Sequence, residues 1–178
     1  MNQDTVELTP ALPTPNDGSL RKLLAIWSRF QGPDRPVPRK SEVVPFPIAH
    51  YLSKVWLYRY LPRQQDFECR VVGDDVLKAW QIHMGQGDRL SDVQNGLYFE
   101  TLYPRWHRVV TVPCIMHAFC EGSDHAKQAE RLALPLADDD GTPCYILGVT
   151  QYTDYSDNLV PVDPNADVVR FHRINGAS

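Results

Sequence analysis

The sequence predicts an α+β fold built on a five-stranded antiparallel sheet, and three observations lead there. Two strand-like segments come first, helical segments follow, and three strand-like segments close the series. The connections among the last three are too short for crossover helices, which makes those strands antiparallel neighbours. The third observation is the corner at residues 67–80. Phe67, Cys69 and Val71 alternate there with Glu68 and Arg70, the period of a half-buried strand. Gly73 stops that strand, and Asp74 and Asp75 stand where a helix wants its cap and its first-turn carboxylates. Val76, Leu77 and Trp80 continue at helical spacing. A strand that becomes a helix within one residue predicts a positive φ or a close backbone approach at Gly73.

Composition narrows the class. With 178 residues, 43% hydrophobic and 22% charged, the chain suits one globular domain with a real core. Its net charge of −4 disfavours non-specific nucleic-acid binding, which needs a basic face to displace counterions. Four cysteines without a CxxC pair make neither a disulfide scaffold nor a redox motif, and reduced thiols in the cytoplasm are the simplest reading. The first ten residues lack the basic-then-apolar pattern of a signal peptide. The longest apolar-rich run, 109–119, is too short to span a bilayer and contains Pro113 and His117. A cytoplasmic protein without membrane insertion is therefore expected.

The elements follow in order. Residues 1–18 are polar, hold three prolines and lack a period, as a flexible tail does. Ser19 then caps a helix over 20–30, with Leu20, Leu23, Leu24, Trp27 and Phe30 on one stripe, and Gly32 and Pro33 end it. Residues 31–47, with five prolines, read as an extended connector over the surface. Residues 48–52 fit a turn of helix, and 55–61 (VWLYRYL) reads as the first strand, paired across 62–66 with a second at 67–72. After the helix at 74–80 come a loop at 83–87 and a helical turn at 91–93. Tyr98, Leu102, Trp106 and Val109 then mark a helix over 98–111 that Pro104 either kinks or splits. Strands at 114–120, 128–136 and 144–152 complete the sheet, the last two joined by an Asp-Gly turn at 140–141. Residues 153–178 read as a polar tail in which 168–171 fits one short strand or helix.

Residues 26–152 resemble the PAS sensory domains, in particular a small single-domain bacterial group whose hallmark is F-x-x-R-x-x-G. Phe67, Arg70 and Gly73 fill that pattern. The run 131–136 (RLALPL), with Arg131 and Pro135, followed by Asp140-Gly141, is similar to the family's segment before its last strand. One departure is the loop after the first core helix, where the family often shows G-x-D-x-T-G and this chain has Gly85, Gly87 and Asp88 without the threonine. The resemblance implies a PAS-like sheet with helices on one face, here with an extra N-terminal helix. It also implies that those helices wall a ligand pocket. Trp80, His83, Tyr98, Phe99, Tyr103, Trp106 and Met116 are placed around it, with a filled aromatic core as the alternative.

Other residues invite chemistry and are outweighed by plainer readings. Cys114, His117 and Cys120 have the look of a metal triplet, but alternation on a strand turns His117 away from the two cysteines. Buried cysteines acting as small apolar residues fit better. His83, His107 and His117 are formal haem-ligand candidates, yet no CxxCH motif exists and nothing singles one out. No haem, flavin or other cofactor is expected. Asp138, Asp139 and Asp140 suit a solvated turn. Arg70 is expected to pair with Asp74 or Asp75, and Arg131 to face carboxylates. No P-loop, G-x-S-x-G, HExxH or G-x-G-x-x-G is present.

Two functions remain. The first is a non-catalytic PAS-type sensory or signalling module that binds a small ligand or a partner protein. With no attached output domain in this sequence, it would report through a homodimer or a separate signalling protein. In that reading the helix at 20–30 covers an exposed sheet face and completes the interface; the plainer alternative is that its stripe packs on its own domain. The second is a small-molecule-binding enzyme or carrier, which would need a buried carboxylate or histidine beside a free cavity.

Overall fold

Alternation along the strands gives the sheet two apolar faces, and covering both decides the architecture. The structure, a computed structural model, describes residues 7–44, 51–93, 96–120, 128–153 and 163–174. It is α+β, with an open antiparallel sheet of six strands: β1 Val55–Leu61, β2 Asp66–Val72, β3 Cys114–Cys120, β4 Gln128–Ala137, β5 Pro143–Thr153 and β6 Val168–Arg173. Their order across the sheet is β2-β1-β5-β4-β3-β6. The five expected strands are present. The sixth comes from the segment read as a C-terminal tail, where Phe171 and His172 are buried and β6 pairs with β3 along its length.

The helices lie on both faces rather than one. α1, Gly18–Arg29, buries Leu20, Leu23, Leu24 and Trp27 against Leu57, Ile115, Leu132, Leu134 and Leu147 of the sheet. The Trp27 indole donates to the Pro135 carbonyl at 2.8 Å, which satisfies its one polar group. α1 therefore packs on its own domain. The stripe offered as an interface is covered within the single chain, and only Phe30, just past the helix end, is half-buried. Asp17, not Ser19, caps the helix by accepting from the backbone N–H groups of Ser19 and Leu20.

α3, Asp74–Trp80, and α4, Gly96–Thr111, cover the other face over Trp56, Tyr58, Phe67, Met116 and Ile146. Pro104 sits inside α4 without splitting it. The short α2, Lys40–Val43, sits in the Pro-rich connector, where Val37, Pro38 and Val43 are buried and the Pro38 carbonyl accepts from the Ala137 N–H at 2.8 Å. Short 3₁₀ turns span Leu90–Asp92 and Pro164–Ala166. Of the turn expected at 48–52, residues 48–50 lie outside the described residues, as does the loop at 121–127.

Both sheet edges are occupied. On β2, the Cys69 N–H donates to the Asp88 carbonyl at 2.8 Å and the Cys69 carbonyl accepts from the Gly87 N–H at 2.9 Å. On β6, the Thr9 N–H donates to the Phe171 carbonyl at 2.9 Å and the Thr9 carbonyl accepts from the Arg173 N–H at 2.8 Å. Residues 7–17 of the expected flexible tail are thus tied to the sheet, and the Asn16 and Asp17 N–H groups are held by the Glu130 carboxylate at 2.8 Å each. These contacts cap part of each edge and shorten the open backbone ladder that invites strand addition.

Two local departures have physical causes. The pairing of β1 with β2 shifts between Leu57 and Tyr58, so that Leu57 faces Val71 and Tyr58 faces Cys69. Arg70 is the extra residue of a bulge, and the slip sends Val71 to the α1 face while Phe67 and Cys69 stay on the other. Arg70 pairs at 2.5 Å with Glu68 on its own strand, not with Asp74 or Asp75. Gly73 has an ordinary extended φ of −78°, so the close approach is what requires glycine: a Cβ would lie 2.3 Å from the Leu52 and Ser53 carbonyl oxygens. Both obstacles are backbone and cannot swing away. Gly73→Val is expected to lose about 1–3 kcal/mol through overpacking. Urea melts of the two proteins check this, and an unchanged midpoint would show that the backbone there gives way freely.

Candidate functional site

The face under α3 and α4 holds a small cavity of about 30 Å³. Trp56 and Tyr58 of β1, Met116 of β3, Arg131 of β4 and Thr150 of β5 form its floor. Val76 and Trp80 of α3, Ile82 and Met84 of the following loop, Val93, and Leu102, Arg105 and Trp106 of α4 form the roof, with Asp167 at one side. Gly148 lets Trp56 lie flat on the sheet, because a Cβ there would meet the indole at 1.9 Å. Trp56 in turn stacks on Trp106, with ring centroids 4.8 Å apart.

Most polar groups around the cavity are already paired. The Trp56 indole donates to Thr150 Oγ1 at 3.1 Å, the Trp80 indole to the Tyr152 hydroxyl at 2.6 Å, and the Tyr58 hydroxyl to Met84 Sδ at 2.8 Å. The charged cluster is different. Arg131, 3% exposed, gives Nη1 to Asp167 Oδ1, and Arg105 Nη1 lies 3.4 Å from Asp167 Oδ2. Burial pushes the Asp167 carboxyl above its ordinary value, and the two guanidinium groups pull it back only in part. The Trp80 ring faces the Arg131 guanidinium at 5.8 Å. Arg131 Nε and Nη2 are buried and have no hydrogen-bond partner among the described residues.

Of the residues placed around a pocket by sequence, Trp80, Trp106 and Met116 line this one. Tyr98 stands behind Trp80, its ring 4.7 Å away and its hydroxyl donating to the Trp80 carbonyl at 3.1 Å. Phe99 and Tyr103 stack on each other at 5.1 Å, half-buried and outside the lining. His83 is exposed. His107 packs between Tyr60 and Tyr103, and His117 lies on the opposite face of the sheet with Nε2 2.8 Å from Glu130 Oε1. Cys114 faces the cavity side, where burial pushes its thiol up to about 12, a value that keeps it protonated and unreactive at neutral pH. Asp138, in the turn, accepts from the Asp140 and Thr142 N–H groups.

Sequence reading missed Trp56, Tyr58, Met84, Arg105 and Asp167. The two aromatics could have been found, since alternation places both on the Phe67 side. Asp167 gave no signal, because it lies beyond the last expected core strand. No family model, curated protein or solved structure matches this chain.

Removing one partner of a buried ion pair strands the other charge. Asp167→Ala is therefore expected to cost about 3–5 kcal/mol. The double variant Arg131→Met with Asp167→Leu is expected to recover most of that loss. Guanidinium melts of the three proteins check this, and a harmless Asp167→Ala would show that the pair is open to water.

Proposed function

We propose that this chain is a non-catalytic sensory module of the PAS type, which binds a small ligand between α3, α4 and the sheet and reports it through a second protein or a second copy of itself. The observation that carries the reading is the aromatic-walled cavity lined by a buried, incompletely paired arginine. Apolar walls with a few convergent polar groups are the usual lining of a small-molecule site, and at about 30 Å³ this one takes a ligand of only a few heavy atoms unless side chains around it move. Further support comes from the order of elements, two strands, helices and then β3, β4 and β5, to which this chain adds β6, and from the residues that carry the family resemblance. Phe67 is fully buried in the core under α4, Gly73 sits at a backbone crossing, Arg131 lines the cavity, and Pro135 accepts the indole that anchors α1.

A second reading, an enzyme or carrier, draws on one observation: Asp167 is a buried carboxylate beside a cavity. Its two oxygens each face a guanidinium, which suits a fixed counter-ion better than a general base free to take a proton. Among the described residues no helix is long and apolar enough to cross a membrane.

Native mass spectrometry of the full chain, purified without refolding, tests the sensory reading. A retained small molecule that leaves on mild activation is expected. Sedimentation equilibrium on the same sample reads the partner arm, with a dimer expected. Cargo that emerges chemically altered would favour the enzyme.

A further inference from the structure

The free edge of Arg131 specifies what the cavity takes. Nε–H and one Nη2–H of a guanidinium point the same way and form the fork that grips two oxygens at once. Asp167 occupies Nη1, which leaves that fork without a protein acceptor among the described residues. Arg131 is a buried side chain on the cavity wall, so an acceptor there would meet it with little competition from bulk water. We infer that the cavity is a monocarboxylate site in which the ligand's two oxygens sit against Arg131 Nε and Nη2 and its short apolar tail lies among the tryptophan and methionine side chains. This rests on reading the cavity as a ligand site.

Charge and size both select this class. Among the buried groups, Arg131 and Arg105 against Asp167 leave one net positive charge beside the cavity, and the further carboxylate acting on them, Asp163, is exposed and screened by water. A singly charged anion balances it, whereas a phosphate dianion would leave a buried negative charge. A chloride ion can accept from both N–H groups but meets neither in line, whereas a carboxylate places one oxygen opposite each donor. At about 10–15 Å³ for each water, the cavity holds roughly two water molecules, close to the size of a carboxylate group itself. Formate is the nearest fit, and the methyl of acetate or a longer tail needs Met84 and Met116 to change rotamer, which unbranched thioethers do readily.

Tryptophan fluorescence of the full chain reports directly, because Trp56, Trp80 and Trp106 line the site. The probes are formate, acetate and propionate, with acetamide and propionamide as matched neutral molecules and with chloride and inorganic phosphate at equal ionic strength. A saturable response to acetate or propionate, at least tenfold tighter than to the corresponding amide and absent with chloride and phosphate, is expected. Arg131→Lys, which keeps the charge and loses the fork, is expected to weaken acetate binding at least tenfold. Should that variant unfold, the comparison of acid with amide on the unaltered protein still decides. Equal binding of acid and amide would overturn the carboxylate assignment and leave the cavity as a site selected by shape. An equal response to chloride or phosphate would overturn it in favour of a general anion site. No saturable response to any probe would overturn both the assignment and the ligand-site reading beneath it.

Discussion

A charged guanidinium inside an apolar layer is the constraint from which much of this domain follows. Arg131 belongs to the β4 residues that face α3 and α4, among alanine, leucine and aromatic neighbours. A cation there is tolerable only with a partner, since an unpaired buried charge costs several kcal/mol. That partner is Asp167, which belongs to the segment leading into β6. The ion pair therefore ties the C-terminal segment to the centre of the sheet, and β6 follows as the next strand along β3. Arg105 links the same carboxylate to α4, so that one acidic side chain joins sheet, helix and terminal segment.

The second organising feature is that the sheet is apolar on both sides. One face needs α3 and α4, and the other needs α1. Because Leu20, Leu23 and Trp27 are fully buried, α1 could reach a partner only by leaving its own sheet. Each Å² of apolar surface exposed in that move costs about 25 cal/mol. The contacts at Cys69 and Thr9 narrow a further route, strand addition, by occupying part of each edge. The large apolar side chains that do stand exposed, Leu52, Leu97 and Val112 among them, lie on the outer sides of the helices and loops.

Strand positions were legible because they rest on local chemistry. Alternation in VWLYRYL and the cysteine-bounded run at 114–120 gave bounds that match β1 and β3 residue for residue. Gly73 was legible as special, but the cause, carbonyls of Leu52 and Ser53 pressing on it, is a contact between segments some twenty residues apart. The bulge at Arg70 was hidden, because alternation assumes an unbroken register. Residues 168–171 were legible as a short strand or helix, and β6 is that strand, longer by two residues; residues 7–17 were hidden, because a polar, Pro-containing sequence looks like a tail until the rest of the sheet supplies a partner. The cavity was half legible. Aromatics at helical spacing pointed to Trp80 and Trp106, whereas the polar corner depends on Asp167, which no local pattern connects to Arg131.

The claim at the centre of this account is that Arg131 presents a buried fork awaiting two oxygens. The most direct measurement is the Nε–H resonance of Arg131 in a ¹H–¹⁵N spectrum, assigned by its loss in Arg131→Lys, as acetate is added. The account predicts a resonance protected from solvent exchange that moves saturably with acetate and stays in place with acetamide. A resonance broadened by rapid exchange in the free protein, or one that acetate leaves unmoved, would contradict it.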